Sequence, residues 1–190
     1  MSVIAIDPGP ERSAWLVWDG KRPVELCQYD TLIVKGKKTD VPPLNSNVLR
    51  DLCDTSWIRC LGKPASLPRG TELAIESISA MGQRAGSEVF ETAYWVGRFV
   101  QAWAPRPFTR ITRREVKMFL TGTMRSKDAD VRHAIISRFG GKEKAVGLIK
   151  NPGPLYGVVT HLWSALAVAL TWEENQKTAK KVLTNPTPPE

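Results

Sequence analysis

The chain has 190 residues, 42% of them hydrophobic, with 27 Lys and Arg against 19 Asp and Glu, a net charge of +8. That length suits one domain with a proper core, and the hydrophobic share is ordinary for a globular protein. No segment approaches the ~20 apolar residues that span a bilayer, and the short N-terminal apolar run, met at once by an acid, does not read as a signal peptide.

Strand-forming Val3, Ile4 and Ile6 lead into Asp7, and Pro8-Gly9 turns the chain. A packed strand can hold a carboxylate rigidly at the rim of a pocket; the alternative is an Asp that merely opens a turn. Alternation predicts a second strand over Ser13 to Trp18, a hairpin at Asp19-Gly20 and a third strand over Val24 to Leu32. Lys35-Gly36-Lys37-Lys38 and Pro42-Pro43 read as an exposed loop. Asn45-Ser46-Asn47 offers N-caps for a helix reaching about Leu61. That helix would carry Cys53 and Cys60 as small apolar groups. With Cys27 they show no metal-ligand spacing, so the expectation is a reduced, intracellular protein.

Leu73 to Ser77 is a fourth strand, and it too carries an acid, Glu76, at its far end. A carboxylate there is costly unless paired or bound to a cation. Two such acids on neighbouring strands suggest a cation site. Ser79 to Gly86 reads as a flexible loop. Ser87 caps a helix to about Ala104, with Val89, Ala93, Val96 and Val100 on one side. Phe108 to Ile111 is a fifth strand, and Thr112-Arg113-Arg114-Glu115 fits a capping box opening a helix. Ser126 caps another to Phe139, ended by Gly140-Gly141; Asn151-Pro152-Gly153-Pro154 is a rigid turn. The last helix runs from about Thr160 to Asn175. The expected organisation is one domain over residues 1–175 and a disordered tail over 176–190. Three strands first, then helix, strand, helix, strand and helices, give an α/β mixed sheet flanked by helices.

The charge is localised. Between Arg106 and Lys150 stand twelve Lys or Arg and four acids, a net +8, and the rest of the chain balances. Such a field is the footprint of a phosphate-backbone partner; a solvated charged face would normally mix the signs. At the last helix, His161 and Ser164 are three apart and share a face. Ala165, Ala167 and Ala169 let that helix lie close to a sheet, which would bring His161 towards Asp7 and Glu76. A surface or otherwise satisfied histidine is the alternative.

Ile-Asp-Pro-Gly on the first strand, Ala-Ile-Glu on the fourth and His-x-x-Ser-Ala-Leu-Ala on the last helix resemble the RuvC-type Holliday junction resolvases of the ribonuclease H-like superfamily. The likeness is nearest to phage and prophage members and spans about residues 3–172. Val116-Lys117 and Ser126 to Val131 resemble the basic helix pair of that family.

The resemblance implies a ribonuclease H-like fold with a mixed five-stranded sheet. It implies a divalent-metal-dependent endodeoxyribonuclease that resolves four-way DNA junctions in recombination by phosphodiester hydrolysis. It implies two Mg²⁺ or Mn²⁺ ions, with Asp7 bridging both, Glu76 holding one and His161 the other. Arg113, Arg114, Lys117, Arg125, Lys127 and Arg132 become the DNA-contacting residues. A homodimer in a bacterial cytoplasm is also implied. Its candidate interface is the face of Phe90, Tyr94, Trp95 and Phe99, for which core packing is the alternative. Ser164 departs from the family, which places Asp there; the hydroxyl is a weak, neutral ligand. Asp128 and Asp130 are candidate substitutes, or else helix-start acids favouring the dipole.

Three rival readings remain at this point. An actin-like ATPase opens similarly but needs a duplicated half that the chain lacks. A metal-free branched-DNA-binding protein of the same fold would follow if Ser164 removes activity. A structural interaction protein would show no nucleic-acid affinity.

Overall fold

The computed structural model describes residues 1–27, 29–34, 37–53, 59–60, 63–64, 67, 70–78 and 84–184. In chain order the strands are β1 (Val3–Asp7), β2 (Ala14–Trp18), β3 (Pro23–Leu26), β4 (Asp30–Val34) and β5 (Lys37–Val41). Helix α1 (Asn45–Cys53), the short strands β6 (Arg59–Cys60) and β7 (Lys63–Pro64), and β8 (Glu72–Ser77) follow. Then come α2 (Ser87–Trp103), β9 (Phe108–Thr112), α3 (Arg113–Thr121), α4 (Asp128–Arg138) and α5 (Lys142–Ala145). The hairpin β10 (Gly147–Leu148) and β11 (Asn151–Pro152) precedes the long last helix α6 (Leu162–Thr184).

The main sheet is five-stranded and mixed, in the order β3-β2-β1-β8-β9. β1 pairs antiparallel with β2 and parallel with β8, and β8 pairs parallel with β9. Burial explains the sequence pattern: β1 and β2 are covered on both faces, so they read as apolar runs rather than alternating strands. Helix α6 packs across β1, β2, β8 and β9, and also meets α3 and α4, while α1 packs on α2. Ala165, Ala167 and Ala169 are fully buried where α6 crosses the sheet, so the small side chains do set a close approach. Trp18, Trp103, Trp172 and Phe99 fill the core. This is the α/β architecture expected. No helix among the described residues is long and apolar enough to cross a membrane.

Several boundaries differ from the sequence reading. The expected third strand divides: β3 pairs with β2, then the chain leaves to form the separate β4–β5 hairpin, which takes up Lys37 and Lys38. Lys35 and Gly36, the start of the expected loop, lie outside the described residues. α1 is described from Asn45 to Cys53, and residues 54–58 of the expected helix lie outside the described residues. Cys53 and Cys60 do not share a helix; Cys60 lies in β6. Cys27 is buried, and burial pushes its thiol up to about 12, so it packs as an inert apolar group.

Ser79 to Gln83 of the expected flexible loop fall outside the described residues. In α2 the buried stripe is Thr92, Val96, Phe99 and Trp103 rather than the valine-alanine face, of which Ala93 is exposed. Ser126 does not cap α4. Its hydroxyl donates to the Thr123 carbonyl, and Asp130 instead accepts from the Lys127 N–H at 2.7 Å. The capping box at Thr112 and Glu115 is present as read. α6 continues to Thr184, so residues 176–184, expected in the tail, are helical. The Glu173–Lys177 pair at 2.7 Å and strong helix formers carry that polar extension. Residues 185–190 lie outside the description.

Asn45, read as a helix cap, has another task. Its buried amide accepts from the Ser13 hydroxyl at 2.6 Å and donates to the Gly9 carbonyl at 2.9 Å, while the Ser13 hydroxyl accepts from the Gly9 N–H at 3.2 Å. The three residues lock the turn that follows Asp7. Gly9 is required there, because a Cβ would stand 2.4 Å from the Arg12 carbonyl oxygen. Asn45→Ala takes the partner from the buried Ser13 hydroxyl and from the half-buried Gly9 carbonyl and is expected to cost about 1–3 kcal/mol, read from urea unfolding. A loss under about 0.5 kcal/mol would show the lock to be dispensable.

Candidate functional site

The parallel register of β1 and β8 pairs Ile6 with Ile75, which sets the next residues, Asp7 and Glu76, side by side at the carboxyl ends of two central strands. Crevices at such strand ends are the usual ligand sites of open α/β sheets. β9 continues the layer: Ser77 pairs with Thr112, and the capping box turns the chain so that Arg113, the first residue of α3, arrives at the same rim.

The charges there are closely coupled. Glu76 is almost wholly buried, beside Asp7. Burial first, then the Asp7 charge, push its carboxyl up to about 7, although Arg113 pulls the other way. The Arg113 guanidinium reaches both Glu76 oxygens, at 3.2 and 3.3 Å, through one nitrogen, and Asp128 through the other. Burial alone would lower the Arg113 pKa; Glu76 and Asp128 outweigh it and raise it. On the far side of Asp7, His161 Nδ1 lies 3.2 Å from the carboxylate. That hydrogen bond raises the imidazole pKa against the opposing effect of burial.

His161 directly precedes α6, and its carbonyl accepts from the N–H groups of Ser164 and Ala165. Thr160 before it has a left-handed φ of 37°, and its hydroxyl donates to the Tyr29 hydroxyl at 2.9 Å. The turn that aims His161 is thus tied to the segment after β3.

Glu76, Asp7 and His161 form a row joined through Asp7. Among the described residues, no three His, Cys, Asp or Glu side chains are gathered around one point that could hold a metal ion. The cation standing on the acid pair is Arg113. Ser164 is half-buried and lines one cleft with His161, Asp128 and Arg113. Asp130 caps α4, whereas Asp128 faces the site through Arg113.

Three clefts, of about 370, 550 and 790 Å³, meet at this row. Arg114 and Lys117 line the first with Asp7, Glu76 and Met124. Arg132 lines the second, its guanidinium 4.9 Å above the Trp163 ring. The third runs from Pro8 to Arg12 past Glu88 and Glu91. Arg125 and Lys127 are exposed on the α3–α4 connection. Arg113, grouped by sequence with the free cations, is held instead by two carboxylates. On α2, Phe90 and Tyr94 are 67% and 54% exposed, Trp95 is half-buried, and Phe99 belongs to the core, so the expected aromatic face splits.

Sequence reasoning missed Asn45, Tyr29 and the Arg113–Asp128 bridge. Asn45 carried a visible cap signal with the wrong partner. The others join segments distant in sequence, and no local pattern marks them.

No protein-family model matches the chain, and no curated protein matches it. Solved structures do. The chain is similar to "Thermus thermophilus RuvC structure", with a TM-score of 0.57 at 18% identity, covering 94% of this chain and 97% of that one. It is also similar to "T. thermophilus RuvC in complex with Holliday junction substrate", with a TM-score of 0.56 at 17% identity, covering 94% and 96%. At that identity the likeness is one of fold.

Proposed function

We propose that this chain is a divalent-metal-dependent endonuclease that cuts branched DNA, four-way junctions above all, within a single domain that includes the whole of α6. The observation that carries the reading is the β1–β8 register, which sets two carboxylates side by side at a rim whose nearest cleft is walled by Arg114 and Lys117. The Thermus thermophilus protein of similar fold was solved with a Holliday junction, which supports the substrate class.

The donor set fits Mg²⁺ or Mn²⁺ in its chemistry. Two neighbouring carboxylates, one of them buried and reluctant to ionise, mark a place where a cation takes over from a proton. Asp7 and Glu76 would hold the ion, with His161 beside Asp7. For a second ion Ser164 offers only a neutral oxygen. A bound divalent ion supplies Lewis acidity and an activated water.

The chain's own residues do the rest. Lys117 and Arg114 hold the backbone phosphates along the cleft. Arg113 keeps Glu76 turned to the rim. His161, hydrogen-bonded to Asp7, can hold a proton at Nε2 and pass it to a leaving oxygen. The exposed Phe90 and Tyr94 of α2 are the proposed contact between two copies, which a near two-fold junction favours.

The direct test is incubation of junction, flap and linear duplex DNA with Mg²⁺ or Mn²⁺. Cleavage of branched forms alone is expected. Tight junction binding with no cleavage under any divalent ion would leave the binding-protein reading instead. Binding is also expected to weaken steeply with salt, each neutralised phosphate adding roughly 0.9 to the log–log slope on duplex DNA. Lys117→Ala should lower the slope by about one, measured by anisotropy across salt concentrations. An unchanged slope would remove Lys117 from the phosphate contacts.

A further inference from the structure

Leu148 and Ile149 are 76% and 80% exposed, more than any other large apolar side chain among the described residues. They stand at the tip of the β10–β11 hairpin. Gly147 pairs with Pro152 and Leu148 with Asn151, so Ile149 and Lys150 form the turn.

The arm beneath them is stiff. Gly147 takes a φ of 67°, and a Cβ there would stand 2.3 Å from the Asn151 carbonyl oxygen. A Cβ on Gly153 would stand 2.4 Å from the Lys144 and Ala145 oxygens. Gly153 donates to the Val146 carbonyl at 2.9 Å, and Leu155 to that of Ala145 at 2.7 Å, with Leu155 and Ala145 fully buried. Two aliphatic side chains are thus held out into water on a braced support.

The surroundings say what fits them. Lys150 shares the turn, and exposed Lys142 and Lys144 stand at the base beside a single acid, Glu143. Val146, just before the hairpin, and Lys142 line the cleft that holds His161, Ser164 and Arg132. A cationic surface continuous with the acidic row calls for a polyanion. The one apolar face that a nucleic acid offers is the flat of a base pair left uncovered where a helix branches or ends. Apolar side chains that enter between base steps are a known means of unstacking DNA.

We propose that Leu148 and Ile149 are a wedge that stacks against the open base pair at a DNA branch point, while Lys142, Lys144 and Lys150 hold the flanking phosphates. This rests on the nucleic-acid reading above and names which part of the substrate the hairpin recognises.

The test uses the full chain, with divalent ions chelated, on a four-way junction carrying 2-aminopurine beside the branch point and on a continuous duplex of the same sequence. The native chain is expected to raise the fluorescence of the junction. Leu148→Ser/Ile149→Ser should abolish the rise and weaken junction binding about tenfold, with duplex affinity unchanged. Both positions are exposed, so the fold is not at stake. Equal fluorescence and equal junction affinity for the two proteins would overturn the wedge while leaving the nucleic-acid reading intact. Dependence of anionic-vesicle binding, rather than junction binding, on these two residues would also overturn it. A native chain that binds neither DNA would take down both readings together.

Discussion

Asp7→Asn is expected to abolish the proposed cleavage of a four-way junction, by at least about a thousandfold, and to leave junction binding in place. Asp7 stands beside Glu76 and hydrogen-bonds to His161, and it lines two of the three clefts that meet at the rim. The substitution keeps the shape of the side chain and removes its charge. The proposed phosphate contacts are Arg114, Lys117 and Arg132, none of which is paired with Asp7. The fold should hold or gain slightly, because the Asp7 charge raises the cost of ionising Glu76. Gel cleavage assays and anisotropy on the same preparation separate the two effects. Retained cleavage in a protein shown free of native contaminant would place the chemistry elsewhere; lost binding would place Asp7 in substrate recognition.

Glu76→Gln is expected to change the pH dependence of stability in the metal-chelated protein. The Glu76 carboxyl ionises at about 7 in the fold against an ordinary value of 4.5. Between those values the folded chain holds more protons than the unfolded chain, so stability falls as pH rises. The contribution is fully present below 4.5 and is lost as pH passes through about 7. The whole span corresponds to about 3 kcal/mol at most. His161, also raised, changes stability in the same direction, but it is common to both proteins. Urea unfolding at pH 5 and pH 8 should therefore show a smaller decline for Glu76→Gln than for the native chain. Equal declines would show that Glu76 is ionised throughout and that Arg113 dominates its environment.

The acids were legible because their strands are short, apolar and end on them, a pattern that needs only local sequence. The same holds for the capping box at Thr112 and for the alanines of α6, whose spacing forecast a close approach to the sheet. Segmentation was less legible. Alternation cannot tell one long strand from β3 followed by β4, since only the partner strand differs. Likewise the polar half of α6 has no apolar stripe to announce it and depends on propensity and ion pairs. Long-range electrostatics left no sequence trace. Arg113 read as one more cation in a basic segment, and only the packing of α3 on β9 and α4 gives it two carboxylates to hold.

The Arg113 bridge also bears on the order in which this chain matures. Zinc modules stay unfolded until metal arrives, because their ligands have no other partner. Here the counter-ion is encoded. A guanidinium between Glu76 and Asp128 offsets the acids from within, so the fold does not need a metal ion to neutralise them. Folding and the proposed loading would then be separate events. A chelator should strip the protein to a native-like, reloadable form rather than denature it, and the stock of chain waiting for an ion would be indistinguishable by compactness from the stock already supplied.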